Sequence, residues 1–112
     1  MASTGEFWLV DFGEAFPGEP AALRPALVLG PSSLFGNELP FLILAPLTTQ
    51  RRGLSLHVEV EPDAHNGLRQ TSYVQCELLR SVNRRRVVTR LGRIDDVALS
   101  RVRSIVSVLL DL

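Results

Sequence analysis

Apolar positions fall in short runs over most of the chain and at helical spacing near its end. Phe7-Trp8-Leu9-Val10-Asp11 predicts a first strand, followed by a loop from Phe12 to Leu23 rich in Gly, Pro, Glu and Ala. Pro25 to Gly30 and Phe41 to Ala45 are continuous apolar runs bounded by turn residues, the pattern of strands buried on both faces. Pro25 opens its strand, where a missing N–H is tolerated. Pro31 to Asn37 punctuates the chain and has room for one helical turn, while Pro46 to Gln50 leads from the second buried strand into a polar loop, Arg51-Arg52-Gly53.

His57-Val58-Glu59-Val60-Glu61 alternates, which predicts a strand with one dry and one wet face. The turn Pro62 to Gly67 ends on Asn66-Gly67, a pair suited to a left-handed bend. Ser72 to Leu79 and Arg86 to Leu91 read as two further strands. The period then changes. Asp95 suits a helix N-cap and Asp96 the first turn, where a carboxylate meets the positive helix terminus. Ala98, Val102, Ile105, Val106 and Leu109 fall on one face, with Ser100, Arg103, Ser104 and Ser107 turned largely away. These elements predict one domain over residues 1–112: a mostly β (α+β) fold, compact and mostly antiparallel, closed by a C-terminal α-helix.

Composition narrows the function classes. At 46% hydrophobic and 21% charged residues the chain suits a globular fold with one modest core. No apolar run reaches the roughly 18 to 20 residues that span a bilayer, and no secretory signal is visible, so the expected location is cytoplasmic with no membrane partner. The single cysteine, Cys76, excludes an internal disulfide and argues against structural zinc. Acids and bases balance at 12 each, and every base is Arg. Arg51-Arg52 forms one cluster and Arg80 with Arg84-Arg85-Arg86 another. Coding bias explains an all-Arg composition, and so does a need for planar cationic forks that grip phosphate.

Several chemistries drop out. There is no P-loop and no nucleotide-binding Gly-rich fingerprint. His57 and His65 lie in an alternating strand and a turn, and read as surface histidines, with a two-histidine acid–base pair as the alternative. Glu59, Glu61 and Asp63 read as a solvated face, so neither a metal nor a cofactor is expected. Arg24 and Thr48 remain, each where sheet passes into loop, a usual address for functional groups. Taken alone, Arg24 also reads as a surface ion-pair partner and Thr48 as a turn residue.

An ordered set of segments covers nearly the whole chain: residues 5–12 (GEFWLVDF), Arg24-Pro25-Ala26-Leu27-Val28-Leu29, Ala45-Pro46-Leu47-Thr48-Thr49-Gln50, Gly67-Leu68, Ser72 through Glu77 to Arg80, Arg86, and Leu91-Gly92. In this the chain resembles the MazF/PemK family of toxin endoribonucleases from bacterial toxin–antitoxin pairs. The first loop departs from the family pattern, Gly-Ser-Glu-Gln before Arg-Pro. Here it reads Pro17-Gly18-Glu19-Pro20, followed by Ala21-Ala22 in place of the usual glycines.

The resemblance implies an SH3-like antiparallel β barrel or sheet with the C-terminal α-helix, and metal-independent, sequence-specific cleavage of single-stranded RNA. The ribose 2′-hydroxyl attacks phosphorus and leaves 2′,3′-cyclic phosphate and 5′-hydroxyl ends; growth stops because translation stops. Arg24 would stabilise charge on the transferring phosphate and Thr48 would donate or position a hydroxyl. Gly18, Glu19, Thr49, Gln50 and Glu77 would contact bases or backbone, and Arg51 and Arg52 would draw the phosphate chain. Phe12 and Phe16 are candidates for base stacking or for the core, and Ser72 for the inner site or a buried structural hydroxyl. The implied partners are a second copy of the chain, as a homodimer, and a MazE-like antitoxin. Two rival readings share the fold: a CcdB-like gyrase poison and a non-catalytic SH3-like binding module.

Overall fold

The computed structural model describes residues 2–14, 16–17 and 22–112. Seven strands precede one helix: β1 (Glu6–Asp11), β2 (Leu23–Gly30), β3 (Phe41–Thr48), β4 (His57–Val60), β5 (Ser72–Gln75), β6 (Arg80–Asn83), β7 (Val87–Arg93) and α1 (Asp96–Leu109). They form one antiparallel sheet in the order β4-β5-β3-β2-β1-β7, with β6 paired to β3 off that path. The expected mostly β architecture with a C-terminal helix is the one observed.

The central apolar runs are apolar because they are buried on both faces. Leu27, Ala45 and Leu47 face one core cluster, which the helix covers with Ala98, Leu99 and Val102. Their neighbours Ala26, Val28, Leu42 and Leu44 face a second cluster with Val10, Phe12 and Val82. Pro46 sits inside β3 where one edge changes partner, from β6 at Leu44 to β5 at Leu47. A missing N–H is tolerated at such an interruption.

Asp95 caps α1 by accepting a hydrogen bond from the Ala98 N–H at 2.8 Å. Ile105 and Val106 lean on the first core cluster as their spacing predicts. Leu109, predicted on the same face, is 40% exposed and lies outside the core cluster, whereas Leu99, at a position the pattern passed over, is buried. The turn after β4 is built by Asn66, whose side chain is fully buried. Its Oδ1 accepts from the Asp63 and Leu68 N–H groups, and its Nδ2 donates to the Glu61 carbonyl. Gly67 has φ +69°, and any Cβ there would collide with the Leu91 carbonyl, so the expected left-handed bend is also a close-packing site.

Four boundaries differ from the sequence pattern. β2 begins at Leu23, so Pro25 is its third residue rather than its first, and β3 continues past Ala45 through Pro46 to Thr48. Ser72–Leu79 is not one strand: β5 ends at Gln75, a 3₁₀ turn takes Cys76–Leu78, and the chain re-enters the sheet as β6. The last strand runs to Arg93 rather than stopping at Leu91. The helical turn expected between Pro31 and Asn37 is a 3₁₀ turn, Ser33–Phe35, capped by the Ser32 side chain. No helix among the described residues is long and apolar enough to cross a membrane.

Candidate active site

β1 and β2 form a hairpin whose loop base is closed by hydrogen bonds between Phe12 and Ala22 and between Ala22 and Gly13. Ala22 takes φ +58°, a conformation that favours glycine and costs an alanine on the order of 1 kcal/mol. This departure from the family's glycine falls just ahead of Arg24. Arg24 lies in β2, opposite Val10 of β1, rather than in the loop. On its other side β2 pairs with β3, Ala26 opposite Pro46. Continuing that register by two residues sets Arg24 level with Thr48, the last residue of β3. Alternation along both strands puts the two side chains on one face.

They line one cavity of about 280 Å³, together with Pro25, Leu47, Thr49, Gln50, Arg52 and Ser72. Arg24, Thr49, Gln50 and Arg52 are exposed, whereas Thr48 is only 8% exposed. The Thr48 Oγ1 accepts a hydrogen bond from the Gln50 N–H at 3.2 Å, which leaves the hydroxyl hydrogen to donate elsewhere. The Gln50 Oε1 accepts from Arg52 Nη2 at 2.9 Å. Because a guanidinium cannot accept, this contact fixes which way the amide points and leaves its NH₂ as a donor. Ser72 is buried, and its hydroxyl donates to the Gln70 carbonyl at 3.0 Å. Among the described residues no carboxylate lines the cavity. Two guanidiniums, three hydroxyls and an amide are the furniture of an anion site, suited to phosphate oxygens on which charge builds up.

The remaining expected site residues divide. Gly18 and Glu19 lie outside the described residues. Arg51 turns away from its neighbour Arg52 and lines a second cavity of about 290 Å³ with Gly53, Leu54, His57, Glu59, Tyr73 and Arg101. Glu77 lines neither; its Oε2 lies 2.8 Å from His57 Nε2. Phe12 belongs to the core, with the Arg80 guanidinium 5.4 Å from its ring centre, whereas Phe16 is exposed. The Cys76 thiol is pushed up to about 11, first by burial and then by the neighbouring Glu77, so it is a core group rather than a nucleophile. No three His, Cys, Asp or Glu side chains among the described residues are grouped to hold a metal ion.

The reading of His57 as a surface histidine is corrected. Its side chain is 3% exposed, its Nε2 faces Glu77, and its Nδ1 and the Glu77 Oε1 are buried without a hydrogen-bond partner. The loop between β3 and β4 closes over it, with the His57 N–H bonded to the Leu54 carbonyl at 3.1 Å. Alternation in β4 identifies the outward face correctly but carries no signal that a loop covers it.

A family profile described as PemK-like, MazF-like toxin of type II toxin-antitoxin system matches residues 3–110. The chain belongs to this family. The toxin is 26% identical over 104 residues to Endoribonuclease EndoA of Bacillus subtilis (strain 168), covering 91% of this chain and 88% of that protein. Its fold matches that of MazF from Deinococcus radiodurans with a TM-score of 0.83 at 24% identity, over 99% of this chain and 97% of that one. A MazE–MazF structure from the same organism matches with a TM-score of 0.77 at 26% identity, over 99% and 97% of the two chains.

Proposed function

We propose that the toxin, a single domain over residues 1–112, is a cytoplasmic endoribonuclease that cuts single-stranded RNA without a metal ion. The observation that carries the reading is the cavity shared by Arg24 and Thr48. The relative from Bacillus subtilis, named as an endoribonuclease, supports it.

In the reaction the ribose 2′-oxygen bonds to phosphorus and the bond to the 5′-oxygen breaks. The proton lost from the 2′-hydroxyl is matched by one gained at the departing 5′-oxygen, so none is consumed overall. Charge accumulates on the nonbridging oxygens, which Arg24 meets with a fork of N–H donors and Thr48 with its free hydroxyl hydrogen. A guanidinium gives up a proton with difficulty, so Arg24 serves as electrostatic stabiliser and hydrogen-bond donor rather than general base. Single strands are the natural substrate, because the 2′-hydroxyl must swing into line with the leaving oxygen and the bases must splay to be read. Thr49, Gln50 and Arg52 supply those contacts at the cavity, and Gly18, Glu19 and Arg51 extend them, while Glu77 acts through His57, onto which its carboxylate is turned.

The toxin acts as a homodimer and is held by an acidic MazE-like antitoxin segment that folds on its surface. Exposed Val108, Leu110 and Leu112 at the end of the chain give apolar area for such contacts. The MazE–MazF relatives from Deinococcus radiodurans support the antitoxin partner.

The test is end-mapping of single-stranded RNA incubated with the purified toxin in excess EDTA. Cleavage to 2′,3′-cyclic phosphate and 5′-hydroxyl ends is expected. Activity that disappears with EDTA and returns with magnesium would overturn the mechanism. An inert protein that instead traps gyrase on DNA would overturn the function.

A further inference from the structure

The second cavity stands on the same face of the sheet as Thr48. In β5, Tyr73 pairs with Thr48 on one side and with Glu59 of β4 on the other, so the three residues form a row across three strands. At the usual strand spacing the row spans about 10 Å. The loop after Thr48 walls both cavities: Gln50 and Arg52 line the first, Arg51, Gly53 and Leu54 the second. One strand of nucleic acid seated at Thr48 can therefore run on over Tyr73.

We propose that the second cavity is a nucleotide subsite of the RNA groove, in which a base lies against Tyr73 and its phosphate sits between Arg51 and Arg101. This rests on the ribonuclease reading above. The Tyr73 hydroxyl donates to Glu59 Oε1 at 3.1 Å, which fixes the ring, and a fixed aromatic ring is a stacking platform for any base. Arg51 reaches the cavity from the loop and Arg101 from α1, both exposed. Among the described residues neither makes an ion pair. The floor is His57, buried, pinned by Glu77 and carrying an unpartnered Nδ1. The Glu59 carboxylate lines the same wall, where it is an acceptor for the N–H groups at the edge of a base. Aromatic ring, paired guanidiniums and a carboxylate together suit a nucleotide better than an acidic antitoxin segment or a bare phosphate.

The experiment compares RNAs of increasing length around the mapped cut. The shortest RNA that is cleaved is set against versions two nucleotides longer on the 5′ or the 3′ side. For the parent protein, extension on one side should lower KM. In Tyr73→Ala and in Arg101→Ala the ratio of the two KM values should shrink about tenfold toward one. Tyr73→Phe should keep most of the parent ratio because the ring remains, and Arg101→Glu should lose more than Arg101→Ala. Circular dichroism confirms that each variant is folded.

Parent-like length dependence in folded Tyr73→Ala and Arg101→Ala would overturn the proposal. So would variants that bind the antitoxin segment more weakly while keeping the parent length dependence. Binding of the same series made uncleavable by a 2′-deoxy sugar at the cut separates the two readings. If the parent cuts nothing yet binds these RNAs, and the variants lose the gain from extension, the nuclease reading falls and the subsite stands.

Discussion

The two cavities that share the 49–56 loop are alike in size and opposite in construction. The Arg24–Thr48 cavity sets exposed Arg24, Thr49, Gln50 and Arg52 around the buried hydroxyls of Thr48 and Ser72, with short-range hydrogen bonds inside the 48–52 segment. The His57–Tyr73 cavity is made around a buried histidine, His57, paired with the part-buried Glu77, and a ring held to Glu59 across two strands. The exposed side chains of the first can be altered at little cost to the fold, because their polar ends meet solvent. The second is tied to folding, since removing one member of the pair strands buried polar atoms of the other. Chemistry and positioning are thus carried by neighbouring but differently supported parts of one face.

The largest effect should come from the first cavity. Arg24→Ala should collapse the single-turnover rate of RNA cleavage by at least 10²- to 10³-fold, about 3 kcal/mol or more, and Arg24→Lys should rescue little, because a point charge does not reproduce a planar fork. Thr48→Ala should cost a comparable amount, whereas Thr48→Ser should keep much of the rate. Stability in urea should stay within about 0.5 kcal/mol for Arg24→Ala, as for other exposed positions. A folded Arg24→Ala protein that cuts at the parent rate would remove Arg24 from the mechanism and the contrast with it.

The second cavity should respond the other way round. His57→Ala leaves the part-buried Glu77 carboxylate, whose Oε1 is shut off from solvent, without its partner and should lower unfolding stability by about 1–2 kcal/mol. Glu77→Gln keeps the shape and should lose less. If His57→Ala proves as stable as the parent in urea while its cleavage collapses, the two cavities are not divided as described and His57 belongs to the chemistry.

How much of this was legible in the sequence follows the same division. β2 and β3 announced themselves because burial on both faces makes a continuous apolar run, and α1 did so through its spacing and the Asp95 cap. β6 was hidden: Arg80-Ser81-Val82-Asn83 offers one inward residue, Val82, and the turn before it, Cys76-Glu77-Leu78, contains no glycine or proline. Arg24 and Thr48 were ambiguous one at a time, and the ordered family segments made them a pair. The link between them is a strand register, a long-range property that no local pattern records. His57 was misread because alternation reports which face a residue occupies, not whether a loop lies over it.

The loop arginines test whether the two cavities act on one RNA strand. Arg51 faces one cavity and Arg52 the other, so each should hold a phosphate of the same chain. Each substitution to Ala should reduce the slope of log affinity against log salt by about 0.7 for single-stranded RNA. The double variant should lose the sum. A double variant no flatter than either single one would mean that the two arginines serve a single phosphate, and the picture of one strand crossing both cavities would fail.

The smallest effect concerns a carboxylate that lines neither cavity. Glu6 Oε2 accepts a hydrogen bond from Arg90 Nε at 2.7 Å, and its Oε1 accepts from the Ser3 N–H at 2.7 Å and from Trp8 Nε1 at 3.1 Å. Burial by itself raises the carboxyl, but the bonds from Arg90, Ser3 and Trp8 outweigh it and hold the group below its ordinary 4.5. A carboxyl whose folded value lies below its unfolded one stabilises the fold above the unfolded value, and that contribution fades as pH falls from about 4.5 through the folded value. Arg90 is half exposed, so solvent screening limits the pair to less than about 1 kcal/mol. Glu6→Gln should therefore be slightly less stable than the parent in urea at pH 7, and the difference should narrow at pH 3.5. A difference that persists undiminished at the lower pH would show that Glu6 acts through its shape and neutral hydrogen bonds rather than its charge.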